Sequence, residues 1–90
     1  MKKVKDAIAQ RKLLKIKDSE GNSRTVEPYA MCLGKACVLL HCYQTEGYSA
    51  SGGLGWRNIK LLDIQYAVIL DETFTPRIEY NPDRLPGKLL

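Results

Sequence analysis

The spacing of apolar residues changes along the chain, and each change predicts an element. Val4, Ala7 and Ile8 fall at i, i+3 and i+4 with charged residues between them, which predicts a short helix over residues 3–10. From Leu13 the period shortens: Leu14 and Ile16 alternate with Lys15 and Lys17, the pattern of a half-buried strand with a basic outer face. Asp18-Ser19-Glu20-Gly21-Asn22 is a turn by composition, with Gly21 and Asn22 suited to positive φ. A second strand is expected from Arg24 to Leu33. Pro28 within it cannot donate to a ladder, so it marks an edge position or a bulge. Gly34-Lys35 is a tight turn into the apolar run Ala36 to Tyr43, a third strand. Gln44 to Gly55 is the longest irregular piece. Trp56 to Leu62 and Ile64 to Leu70 then resume strand character, as two strands or one bent one.

From Thr73 the pattern breaks again. Pro76, Pro82 and Pro86 forbid a continuous helix or central strand. The expectation is an extended tail over 75–90 that wraps the body, anchored by Phe74, Ile78 and Tyr80. There is no internal repeat. One helix followed by five short strands points to a mainly β fold, a small, strongly bent barrel in residues 1–74, with a sheet carrying one helix on a face as the alternative.

Composition narrows the class without naming a function. Ninety residues suit a single small domain, and 44% hydrophobic with 27% charged residues is an ordinary globular balance, not a disordered one. No apolar run is long enough to span a bilayer. Met1-Lys2-Lys3 is followed by Asp6, Gln10 and Arg11 instead of an apolar core, so the expectation is a cytoplasmic protein without a signal peptide and without membrane partners.

The net charge of +4 is unevenly spread. Residues 1–17 hold seven cations against Asp6 alone, while the remainder is slightly acidic. A basic segment on a near-neutral body is an electrostatic footprint for phosphates or an anionic surface; it is also what a solvated helix face looks like.

Three cysteines, Cys32, Cys37 and Cys42, imply reduced thiols. A metal site with His41 is disfavoured. On a strand over 36–43, Cys37 and His41 share a face but lie about 13 Å apart, and Cys42 points the other way. Tight Cys-x2-Cys turns are absent, so no metal or cofactor is expected and the thiols read as buried hydrophobes. The loop from Glu46 to Gly55 can converge backbone N–H groups on an anion, act as a lid, or be a plain flexible hairpin. It is neither a P-loop nor a dinucleotide fingerprint. Gly47-Tyr48-Ser49-Ala50-Ser51 lacks the last glycine of a nucleophile elbow. Without paired carboxylates or a Cys–His dyad in reach, no enzyme is expected.

The order of signals resembles the WYL domain family. The matching residues are Ala7-Ile8, Arg11-Lys12, Leu14-Lys15-Ile16, Gly21, the run Arg24-Thr25-Val26-Glu27-Pro28-Tyr29, the later strand Ile59-Lys60-Leu61-Leu62-Asp63-Ile64, and the closing Leu70-Asp71-Glu72-Thr73-Phe74. The six-residue run is the most specific, and the similarity covers residues 3–74. The family's Trp-Tyr-Leu run falls on Val38-Leu39-Leu40, and its ligand-contacting arginine on Lys60, which keeps the charge and loses the bidentate fork. About ten residues precede the first strand, where bacterial regulators of this family carry a helix-turn-helix. The chain therefore reads as a standalone, divergent member.

The resemblance implies an SH3/Sm-like five-stranded barrel that binds a nucleotide or single-stranded nucleic acid without catalysis. In this chain Lys60 and Arg57 are the phosphate candidates, Tyr43 and Trp56 the stacking platforms, and Ser49 and Ser51 in the 45–55 loop the residues that close the site. Each has a plainer reading: ring packing for Tyr43 and Trp56, a solvated strand position for Lys60. Glu27 reads as a structural acceptor for backbone donors, Arg24 or Arg57. The rival function is a protein-interaction or self-assembly module, with Leu54, Trp56, Tyr66 and Leu89-Leu90 forming a homodimer contact. A thiol-based redox or metal sensor is a third reading that rests on the cysteines alone.

Overall fold

A computed structural model describes residues 2–49 and 52–90. Its elements are helix α1 (Lys2–Gln10), strands β1 (Lys12–Lys17), β2 (Ser23–Leu33), β3 (Val38–Gly47), β4 (Gly55–Lys60) and β5 (Tyr66–Thr73), and a short β6 (Lys88–Leu89), with 3-10 turns at Leu61–Asp63 and Pro82–Arg84. The strands form one antiparallel sheet in the order β4-β3-β2-β1-β5, with β6 added to β2. Six strands are present where five were expected, because the tail supplies the last one. Among the described residues β4 and β5 do not pair, so no closed barrel is formed.

The helix forms where the apolar spacing places it and buries Val4 and Ala7 against the sheet. It stops at Arg11, whose φ of 53° is left-handed, and β1 begins at the next residue. In β1 the alternation holds: Leu14 and Ile16 are buried, Lys15 and Lys17 exposed. Val26 of β2 and Ile69 of β5 lie opposite Leu14 on its two sides, and Leu40, Cys42, Met31 and Leu61 complete the core. The 18–22 turn is held by Asp18, whose Oδ1 accepts from the backbone N–H of Glu20 and of Asn22, both at 2.9 Å. Only Gly21 there takes positive φ, at 84°.

Strand β2 is the shared member of the sheet. It pairs with β3 along most of its length, with register breaks between Thr25 and Val26 and between Pro28 and Ala30. Its other edge is divided: β1 takes Ser23 to Val26, and β6 takes Cys32 and Leu33. Pro28 sits in the interval between them, beside the second bulge, so its missing N–H interrupts no ladder.

The irregular stretch is shorter than expected, since β3 continues through Gln44 to Gly47. Buried Gln44 makes this possible by donating to the carbonyls of Tyr48 (2.8 Å) and Glu46 (3.3 Å). Gly47, at φ 100°, lies so close to β2 that a Cβ would fall on the Ser23 carbonyl and the Arg24 backbone. The tail docks through Phe74 and Tyr80, both against Tyr29, with ring centres 5.4 and 4.7 Å away. Ile78, expected as an anchor, is 99% exposed: its neighbours Arg77 and Tyr80 turn toward the sheet and it turns out. Among the described residues no helix is long and apolar enough to cross a membrane.

Leu40→Ala is expected to cost about 2–5 kcal/mol, because a fully buried side chain leaves a cavity that the sheet cannot close. Ile78→Ala is expected to stay within about 0.5 kcal/mol of the parent. Urea unfolding of the two variants measures the contrast.

Candidate ligand-binding faces

The cross-strand register sorts the expected site residues. Tyr43 pairs with Trp56, His41 with Asn58 and Leu39 with Lys60, which puts these six on one face of the sheet. Leu40, Cys42 and Gln44, opposite Ile59, Arg57 and Gly55, belong to the core side. Arg57 and Lys60 therefore lie on opposite faces of β4 and do not form one phosphate clamp.

Arg57 is also engaged. Its Nη1 donates to the Trp56 carbonyl at 2.9 Å, and its Nη2 donates to Ser49 Oγ at 3.0 Å and to the Gly53 carbonyl. These bonds tie the β3–β4 loop to its own strand, which gives Arg57 and Ser49 a structural task. Ser51 lies outside the described residues.

The two expected stacking platforms are covered. The His41 ring lies parallel to the Trp56 indole, 5.1 Å away and tilted by 8°, while Tyr29, Tyr43 and Tyr80 close in at 5.0, 5.2 and 6.3 Å. His41 Nδ1 meets Asn58 Oδ1 at 2.7 Å, which fixes the imidazole in this stack. The Arg77 guanidinium sits 3.6 Å from the centre of the Tyr43 ring. Both rings are half-buried, each with neighbouring side chains against part of its surface.

Arg77 also answers the question posed by Glu27. Its Nε and Nη2 donate to the two Glu27 carboxylate oxygens at 2.9 and 3.3 Å, and its backbone N–H donates to the Tyr29 hydroxyl at 2.9 Å. That hydroxyl donates in turn to Glu27 Oε1 at 3.0 Å. Arg24 and Arg57 do not take this role because both belong to the core side: Arg24 Nη1 donates to Gln44 Oε1 at 3.4 Å. Sequence reasoning reached Glu27 and Tyr29 and missed Arg77. The available signal was an arginine lying between Phe74 and Tyr80, two aromatics that needed a docking face.

Lys60 lines a cleft of about 380 Å³ between the end of β1 and the turn that follows β4. Lys17 and Arg24 share the cleft, but so do Asp18, Glu20 and Asp63, so its charges balance. The face formed by β1 and β5 is different. Tyr66 lies opposite Lys17 and Val68 opposite Lys15, and these four line a shallow depression of about 190 Å³ with Ser23 and Ile16 and without a carboxylate. Tyr66 is 62% exposed. Lys3 reaches the same edge, donating to the Ala67 carbonyl at 3.2 Å with its ammonium 6.0 Å from the Tyr66 ring centre. An exposed ring flanked by three lysines can stack a base and hold phosphates.

Cys32 and Cys42 are buried and Cys37 half-buried, and all three are free thiols. Among the described residues no three His, Cys, Asp or Glu side chains converge to hold a metal ion. No family model, curated protein or solved structure matches the chain.

Burial pushes the Cys42 thiol from its ordinary 9.0 up to about 12, and burial together with donation to Glu27 pushes the Tyr29 phenol from 10.0 to about 12. The folded state thus holds protons that the unfolded chain releases. Stability is expected to be unaffected by these groups below pH 9.0 and to fall as pH rises from there to about 12. Cys42→Val should make the fall shallower, with the smaller remaining loss due to Cys32, whose thiol burial also raises, and to Tyr29. Urea midpoints across alkaline pH check the sign; a rising midpoint contradicts it. Arg57→Ala is expected to speed hydrogen exchange in the 48–54 loop and leave the rest of the sheet protected.

Proposed function

We propose that the protein is a non-catalytic binding module for single-stranded nucleic acid or a nucleotide, and that its ligand face is the β1–β5 surface. One observation carries the reading: the register of β1 and β5 sets exposed Tyr66 beside Lys15 and Lys17, around a depression that no carboxylate lines. Tyr66 offers a stacking surface to a base, and Lys3, Lys15 and Lys17 hold the flanking phosphates. Lys17 also borders the cleft that contains Lys60, so a strand lying on Tyr66 can continue toward Lys60. Long-range attraction by the basic residues 1–17 brings the ligand in, and stacking fixes its register.

The reading keeps the WYL-type, SH3/Sm-like assignment as part of the proposal. Its support is the connectivity: a leading helix, four strands in meander, a 3-10 turn, and a fifth strand that returns beside β1. The ligand face differs from the one the family resemblance implied, since Trp56 and Tyr43 serve the tail.

Fluorescence anisotropy of a labelled single-stranded RNA across a salt series tests the proposal. Two to three phosphate contacts give a log–log slope of roughly −1.4 to −2.1, at about −0.7 per contact. Tyr66→Ala is expected to weaken binding about five- to 150-fold, the 1–3 kcal/mol of one lost stack. Lys15→Ala and Lys17→Ala should each flatten the salt slope by one contact. Parent-like binding by all three variants overturns the assignment.

A further inference from the structure

We propose that the surface beneath the tail is a guanidinium-recognition site, filled here by Arg77 of the same chain, and that it takes Arg77 of a second copy when two chains exchange residues 74–90. The site is built before the arginine arrives. Glu27, with its side chain only 10% exposed, presents both carboxylate oxygens, and the Tyr43 ring supplies the face on which the guanidinium lies. The Tyr29 hydroxyl accepts the Arg77 backbone N–H and fixes the direction of the incoming strand. A fork of donors, a flat delocalised cation and an extended backbone are what this arrangement selects, and lysine would satisfy only part of it.

Every group of the site other than Arg77 belongs to β2 or β3. The recognition chemistry is therefore unchanged whichever copy provides the tail. The tail is held at separated points: Arg77 and Tyr80 at one end, and at the other two residue pairs between β6 and β2 with the Leu90 N–H donating to the Met31 carbonyl at 2.9 Å. Between them, residues 81–84 are exposed. Release needs no rupture of the core, and re-docking in trans restores every contact that is lost.

A second copy is the occupant that fits, because the complementary segment is this chain's own. Cys32 and Leu33 accept Leu89 and Lys88 in register, and Gly87 lies so close to Leu33 that any Cβ would strike its carbonyl. Docked in cis, the tail leaves Leu89 and Leu90 58% and 60% exposed at the rim of a largely apolar groove shared with Ile8, Ala9 and Met31. Exchange of an identical element is a low-cost route to a dimer.

Complementation between two full-length variants tests the exchange. Glu27→Gln keeps a good tail and spoils the site; Arg77→Ala keeps the site and spoils the tail. Sedimentation of the mixture is expected to show a heterodimer at concentrations about tenfold below those at which either variant self-associates. Trp56, the single tryptophan, sits between Tyr29 and Tyr80 and reports tail docking by fluorescence. A mixture that sediments as the sum of two monomers overturns the proposal. A labelled peptide of residues 73–90 titrated onto the Arg77→Ala chain gives a measurement independent of the Glu27 variant's folding. It should bind at least about tenfold more tightly than its Arg77→Ala counterpart, and equal binding overturns the site. Arginine-dependent peptide binding without association of the full chains overturns the exchange and assigns the site to a foreign arginine-bearing segment.

Discussion

The structure depends on how one long strand divides its hydrogen bonds. Along β2, one edge serves β3 throughout, while the other serves β1 at its start and β6 at its end. Pro28 falls in the interval, where no partner asks for its missing N–H, and the adjoining bulge releases the register. Glu27 and Tyr29 flank that proline and face away from the core. They hold the Arg77 end of the tail, so the interruption of the ladder and the docking of that end are linked.

The two faces of the sheet consequently perform different work. On the core side, Leu14, Val26, Leu40 and Cys42 are fully buried under α1, and their exclusion from water supplies the main driving force for folding. On the other side, the four rings of His41, Tyr43, Phe74 and Tyr80 surround the Trp56 and Tyr29 pair, with Arg77 and Glu27 neutralising each other among them. Glu27 holds the Arg77 guanidinium even more firmly charged than usual, since its carboxylate accepts two of its hydrogen bonds. Rings that would be good stacking platforms in isolation are spent on this second packing layer. The surface proposed for a ligand is the one where β1 and β5 show lysines and Tyr66 to water.

Local patterns were legible in the sequence, and their pairings were not. Period located α1 and the Lys15/Lys17 face of β1, and composition located the 18–22 turn, because each is set by residues within a few positions of one another. At Pro28 a bulge was among the expected meanings, and the register breaks beside it. The extent of β3 escaped because Gln44, a polar residue, is buried by bonds to carbonyls that belong to the loop itself. Arg57 and Lys60 were both expected to hold phosphate, yet their odd offset of three sends them to opposite faces of a strand. Arg77 lies 50 residues from Glu27, and no local rule connects them. Tyr66 was noticed as apolar surface, but its lysine neighbours come from β1, a strand that becomes adjacent only when β5 returns beside it.

The assignment of the ligand to the β1–β5 surface instead of the Trp56 ring cluster is the central proposal, and amide chemical-shift mapping of the labelled protein during titration with a short single-stranded RNA tests it most directly. The account predicts that perturbations concentrate at Lys15, Lys17, Tyr66 and Val68, while the Trp56 indole and the Arg77 and Glu27 amides stay fixed. Perturbations centred on Trp56, Tyr43 and the tail, with the β1–β5 face unmoved, would contradict it.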